Sequence, residues 1–138
     1  MKYVYPATFT PSEEGFIVKF PDLESCYTDG KDMVEAFTNA EDVLNLVLWD
    51  MEEAKKDIPA PSSPKAVLCD ENSFVSLVSA DTLVYRKLHD TKAVKKTLTI
   101  PRWLDTIALE KNINFSNVLQ NALIEELGID GSHYVGQK

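Results

Sequence analysis

Residues 93–129 read AVKKTLTIPRWLDTIALEKNINFSNVLQNALIEELGI, and this stretch decides how the second half of the chain folds. Polar and apolar residues alternate from Val94 to Ile100, except that Lys96 lies on the mostly apolar face. A period of two places alternate side chains on opposite faces, so the pattern predicts a short β-strand. Pro101 ends that strand, because proline has no N–H for a strand ladder but suits the first turn of a helix.

Two amphipathic helical patterns follow the proline. The first runs from Arg102 to about Lys111, and the second begins after Asn114, a good N-cap, and ends before Gly128, a good terminator. One strand and two helices cannot close a core alone, so we expect two copies to pair their strands over four intertwined helices. The expected dimer core consists of apolar residues from the strand and both helices: Leu98, Ile100, Leu104, Ile107, Val118 and Ala122.

The other face of this predicted ribbon, formed by Lys95, Thr97 and Thr99, is polar and basic, and such ribbons fit the DNA major groove. The stretch resembles the ribbon-helix-helix family of DNA-binding proteins. The resemblance implies that these three residues read bases. We expect their base discrimination to be modest, because threonine discriminates bases weakly. It also implies a set of phosphate-binding residues at the helix starts: Arg102, Asn114, Phe115 and Ser116. The alternative is a strand and helical hairpin packed on the rest of the chain, without DNA.

Charge divides the chain into an acidic and a near-neutral part. The net charge is −8, but residues 1–90 hold 8 Lys and Arg against 17 Asp and Glu, a net of −9. Residues 91–138 hold 6 against 5, a net of +1, with the positive charge concentrated on the predicted ribbon. We therefore expect two domains, 1–90 and 91–138, with partners of opposite charge.

The first domain reads as an antiparallel meander covered by a long helix, an α+β arrangement. Strands are predicted at 3–9, where Pro6 indicates an edge or bulge, at 16–20 and at 25–28, with turn residues at 10–15. Asp32, with Glu35 in the capping-box position, begins a helix that should stop near Asp57. Its expected core stripe has apolar residues every three or four positions: Met33, Phe37, Ala40, Leu44, Val47, Met51 and Ala54.

After a proline-rich loop, residues 74–78 predict a further strand in the same sheet and residues 83–88 a short helix. Residues 66–69 fit either a strand or a helical turn. Cys26 and Cys69 lack metal-ligand spacing and are interpreted as reduced core thiols. Trp49 is interpreted as a packing residue, with an exposed partner contact as the alternative.

Residues 13–44 resemble the amino-terminal domain of HicB-type antitoxins. The matching positions are Phe20-Pro21-Asp22-Leu23, Cys26, Gly30, Glu35-Ala36 and Asn39-Ala40. Glu24-Ser25 departs from the Pro-Gly turn common in the family. The resemblance implies a partial RNase H-like domain that neutralises a HicA-type mRNA-cleaving toxin. It further implies a ribbon-helix-helix homodimer that binds the operator DNA of its own operon. The toxin-contact residues, and assembly beyond the dimer, stay open.

We expect no catalysis, metal or cofactor. An RNase H-like enzyme needs converging carboxylates, at least one of them on the first strand, and residues 2–9 contain no Asp or Glu. His89 and His133 lie outside any catalytic motif. The alternative function is a stand-alone ribbon-helix-helix regulator whose first domain senses a ligand or a protein. The chain has neither a membrane-spanning apolar run nor a secretory signal, so we expect a cytoplasmic protein.

Overall fold

A computed structural model of the chain describes residues 1–129. The chain divides into two compact units, Met1–His89 and Asp90–Lys138. The first unit combines a four-stranded antiparallel sheet with two helices, and the described part of the second contains two more helices. The predicted α+β class is therefore confirmed. No helix within residues 1–129 has the length and hydrophobicity needed to span a membrane.

The sheet of the first unit has the order β3-β2-β1-β4. Its strands are β1 (Lys2–Ser12), β2 (Gly15–Lys19), β3 (Tyr27–Gly30) and β4 (Phe74–Asp81). Both the meander and the later strand in the same sheet are confirmed. Strand β2 pairs with β1 only from Thr8 onward, whereas β4 pairs along β1 from Phe9 back to Lys2. Pro6 thus lies where β1 has one neighbouring strand, which suits a residue without an N–H.

The turn predicted at 10–15 is shorter than its composition indicated. Thr10, Pro11 and Ser12 continue β1, and the turn itself is confined to residues 13–14. Pairing of β1 with β2, including Pro11 opposite Phe16, overrides the turn preference of these residues. Gly15 follows the turn with a φ of +135°, a conformation that side-chain-bearing residues rarely adopt.

Helix α1 (Met33–Glu53) begins as predicted. The Asp32 carboxylate accepts the Glu35 N–H at 2.8 Å, and the Glu35 carboxylate accepts the Lys31 N–H at 2.7 Å. The helix ends four residues before the predicted end near Asp57. The reason is that Lys55, at a φ of +53°, turns the backbone out of the helix.

The helix packs on the sheet through a stripe that differs from the predicted one. Its fully buried residues are Ala36, Ala40, Leu44 and Leu48. Ala36 and Leu48 were absent from the predicted stripe, while Met33 and Ala54, which were included, are exposed. Met33 and Ala54 lie at the two ends of the helix, where fewer neighbours cover a side chain.

The chain between α1 and β4 contains a single 3₁₀ turn at Pro64–Ala66 and is otherwise irregular, so residues 67–69 form neither a strand nor a helical turn. Cys69 is exposed on this loop, and its interpretation as a core thiol is wrong because no strand carries it inward. Cys26 is a buried free thiol, and burial raises its pKa to about 12. The predicted short helix is confirmed as α2 (Thr82–His89).

The second unit contains α3 (Arg102–Glu110) and α4 (Phe115–Glu126), close to their predicted bounds. A left-handed residue follows each helix at its second position beyond the end, Asn112 with a φ of +52° and Gly128 with a φ of +64°. The predicted strand at 94–100 has no regular secondary structure, because strand assignment requires a paired neighbour and none lies within the described residues. Its pairing with a second copy stays a prediction.

Candidate functional site

The second unit has no buried core within residues 90–129. None of these residues is buried, although α3 and α4 carry many apolar side chains. The exposed fraction is 65% for Trp103, 43% for Phe115 and 51% for Leu123. A monomer would therefore expose an apolar surface of a kind that usually marks an interaction site.

The residues predicted for the dimer core lie on this exposed surface. Leu98 is 63% exposed and Ile100 is 41% exposed, so neither is packed inside a single chain. The remaining residues of the set are also exposed in the single chain: Leu104, Ile107, Val118 and Ala122. These side chains are available for burial against a partner, which a monomeric fold would have prevented.

The predicted base-reading residues Lys95, Thr97 and Thr99 are exposed on the unpaired segment 94–100. The single chain does not assemble them into a ribbon, because a two-stranded ribbon needs a second strand. Their role in reading bases stays a prediction.

The residues predicted to bind phosphate at the start of α4 lie at a helix N-terminus, and their role stays a prediction. The Asn114 side chain caps the helix by accepting the Asn117 N–H at 3.1 Å. The N–H groups of Phe115 and Ser116 belong to the first turn, where a helix supplies no acceptors of its own. Such N–H groups at the positive end of a helix favour an anion. Arg102, the other predicted phosphate contact, is exposed in the first turn of α3.

The first unit presents an acidic surface along α1. The helix has six acidic residues and no basic one: Glu35, Glu41, Asp42, Asp50, Glu52 and Glu53. Glu52 and Glu53 pair with Arg86 of α2. The other four carboxylates form no ion pair within residues 1–129, so their charge is available to a basic partner.

Glu52 joins three elements of the first unit. Its Oε1 accepts hydrogen bonds from the Tyr3 and Thr82 hydroxyls, both at 2.8 Å, and its Oε2 accepts one from Arg86 at 3.0 Å. Burial alone would raise the pKa of Glu52, but these hydrogen bonds outweigh it and lower the pKa. Burial and the bond to Glu52 raise the pKa of Tyr3 to about 12. This network was not predicted from the sequence, because each partner of Glu52 lies 30 or more residues away from it along the chain.

Within residues 1–129, no group of three or more His, Cys, Asp or Glu side chains is placed to hold a metal ion. His89 lies at the end of α2 rather than in a linker, with its ring 4.1 Å from that of Tyr85. His133 lies outside the described residues. Trp49 is partly buried against Tyr85 in an edge-on contact at 5.5 Å, in agreement with the packing role assigned to it.

Comparison with known proteins identifies the family of the chain. The chain belongs to the HicB-like antitoxins of bacterial toxin–antitoxin systems, whose family model matches residues 4–78. A curated relative, Antitoxin HicB 2 of Photorhabdus laumondii subsp. laumondii, is 23% identical over 121 residues, covering 86% of this chain and 87% of the relative.

Solved structures share the fold of this chain, one of them over both units. A chain of a toxin–antitoxin complex from Streptococcus pneumoniae is 30% identical with a TM-score of 0.60, and the match covers 91% of this chain and 99% of that one. A chain of a HicA3 and HicB3 toxin–antitoxin complex shares the fold over 57% of this chain and 99% of its own length, with 24% identity and a TM-score of 0.50. The resemblance to HicB antitoxins inferred from the sequence is confirmed.

Proposed function

We propose that this chain is an antitoxin that neutralises a HicA-type, mRNA-cleaving toxin through residues 1–90. It represses its own operon as a homodimer whose residues 91–138 bind operator DNA. The observation that carries the proposal is the division of charge: a HicB-like domain of net −9 is followed by a near-neutral module whose predicted ribbon is basic. No catalytic step is assigned to the chain, because β1 contributes no carboxylate to a metal-dependent site.

Toxin neutralisation follows from charge complementarity. A ribonuclease that grips RNA needs positive charge, because phosphate contacts dominate RNA affinity. An acidic domain attracts such a toxin, speeds association and competes with RNA for the same surface. The four α1 carboxylates that form no ion pair within residues 1–129 are the part of the first unit best suited to this role.

Toxin neutralisation is tested with the proteins encoded beside this chain, among which the proposal predicts a short basic ribonuclease. We expect the two proteins to co-purify and the chain to stop RNA cleavage at equimolar concentration, with an affinity that falls as salt is raised. If no neighbouring protein binds and the chain still binds DNA, it is a stand-alone ribbon-helix-helix regulator instead. RNA cleavage by the chain alone, after removal of contaminating nucleases, would contradict a non-catalytic role.

DNA binding is proposed for the polar face of the ribbon. Replacing Lys95, Thr97 and Thr99 together by Ala should abolish discrimination between operator and unrelated DNA while the dimer remains, because the opposite face holds the two copies together. The measurement is a footprint on the promoter of the operon together with sedimentation of the variant. A triple variant that protects the same bases as the wild type would show that other residues read the operator.

The phosphate contacts are tested separately from base reading. Replacing Arg102 by Ala should weaken binding to operator and unrelated DNA alike, and lower the magnitude of the slope of log affinity against log salt by about 2, one for each copy of Arg102 in the dimer. A loss of affinity for the operator alone, with unchanged affinity for unrelated DNA, would assign Arg102 to base reading instead.

A further inference from the structure

An open cleft of about 490 Å³ lies in the first unit, where β1 and β4 meet α1 and α2. Its walls differ in chemistry. Tyr85 and Leu88 provide an apolar side, and Glu41 and Asp42 from α1 provide an acidic one. A groove that is apolar on one side and acidic on the other suits a long side chain with an alkyl stem and a positive head.

The apolar side of the cleft is accessible and held in place. Leu88 is 54% exposed, so it can contact a ligand. The Tyr85 ring is held by an edge-on contact with Trp49, at 5.5 Å, and a tilted contact with His89, at 4.1 Å. A fixed aromatic ring is a good surface for a planar cation, since its face carries partial negative charge.

The acidic side is not neutralised within the first unit. Glu41 and Asp42 are exposed and form no ion pair with any residue in 1–129. The other charged groups at the cleft are Lys2 and Asp81, and the Asp81 carboxylate lies 3.9 Å from the amino-terminal ammonium. His89 also lines the cleft. The cleft therefore retains an excess of negative charge on the α1 side.

We propose that this cleft receives an arginine side chain of the toxin, and this inference rests on the proposed function. The guanidinium lies between the ring of Tyr85 and the carboxylates of Glu41 and Asp42, with its methylene stem against Leu88. Arginine fits better than lysine, because a planar guanidinium stacks on an aromatic ring and pairs with a carboxylate at the same time. Nucleic acid is disfavoured, since its phosphates would face two unpaired carboxylates.

The test is the affinity of the full chain for the toxin of its own operon, measured by calorimetry at low and high salt. The variant is Glu41→Gln with Asp42→Asn. The control is Glu13→Gln with Glu14→Gln, which removes the same charge from the exposed turn between β1 and β2. We expect about a tenfold loss of affinity for the cleft variant and less than about a twofold loss for the control.

The outcomes separate the two proposals. Equal affinities for the cleft variant and the control, with tight binding by the wild type, would overturn the cleft assignment and leave the proposed function standing. No binding by the wild type would overturn the proposed function, and the cleft assignment with it.

A second measurement locates the contact directly. A photoreactive benzophenone amino acid replaces Leu88 in one sample and Leu77, which is exposed on β4 outside the cleft, in another. We expect position 88 to crosslink to a toxin segment that contains arginine, at a yield above that of position 77. A crosslink to a segment without arginine, or a higher yield at position 77, would overturn the inference.

Discussion

Gly30 sets the distance between the sheet and α1. A Cβ at this position would lie 2.3 Å from the backbone nitrogen of Ala36 and 2.5 Å from its Cα, and backbone atoms cannot move aside cheaply. We therefore expect Gly30→Ala to lower the free energy of unfolding by about 3 kcal/mol, measured by urea denaturation. Asp29→Ala is the control, because the Asp29 side chain is exposed. A Gly30→Ala variant as stable as this control would show that the helix and strand do not approach so closely.

Glu52 predicts a pH dependence of stability. Its pKa is lowered in the folded chain from an ordinary value of 4.5. The stability it contributes is therefore present above about pH 4.5 and is lost as the pH falls through the lower folded-state pKa. We expect Glu52→Gln to be less stable than the wild type at pH 7, because the amide would point a donor at Arg86. The difference should shrink on acidification, as followed by chemical denaturation from pH 7 downward. A difference independent of pH would contradict the network.

Individual long-range contacts of this kind could not be predicted from the sequence. The motif residue Asp22 illustrates the limit, because its carboxylate accepts hydrogen bonds from the backbone N–H and the hydroxyl of Ser62. That contact ties the segment after β2 to the loop after α1, across 40 positions. A motif can single out such a residue, but the contacting residue follows only from the fold.

At the scale of single elements, the turn that follows α1 contains a residue with a strained backbone. Lys55 has a φ of +53°, and the turn is closed by bonds from its N–H to the Glu52 carbonyl and from the Lys56 N–H to the Met51 carbonyl. Glycine adopts this conformation without steric cost, so Lys55→Gly should raise the free energy of unfolding by about 0.5–1 kcal/mol. The measurement is urea denaturation, with Lys56→Gly, at an ordinary φ, as the control. A Lys55→Gly variant less stable than the wild type would contradict this account.

Helix starts could be predicted from the sequence, because their stabilising bonds span only a few residues. The Asp32 side chain accepts a hydrogen bond from the Glu35 N–H, and the Asn114 side chain accepts one from the Asn117 N–H. In each pair the donor lies three residues after the acceptor, as the spacing indicated. The buried face of α1 was predicted less well. Periodicity gives the direction of an apolar stripe, but the sheet beneath the helix decides which residues at its ends are covered.

At the scale of the whole molecule, the two units of the chain differ in whether they form a buried core. The first closes its own core between the sheet and α1, whereas no residue of the second is buried within 90–129. Composition and strand spacing predicted this contrast, since one strand and two short helices lack the area to bury a core. The structure of a single chain does not test the predicted ribbon, because half of its hydrogen-bonding partners would belong to another copy.

Sedimentation equilibrium of the full chain at micromolar concentration tests this contrast most directly. We expect twice the chain mass of 15.5 kDa, or a larger even multiple. A Leu98→Asp variant should shift to the single-chain mass, because a charge at a buried ribbon position would be desolvated without a partner. The first unit should remain folded in that variant. A wild-type chain that sediments at 15.5 kDa would contradict completion of the second unit by another copy.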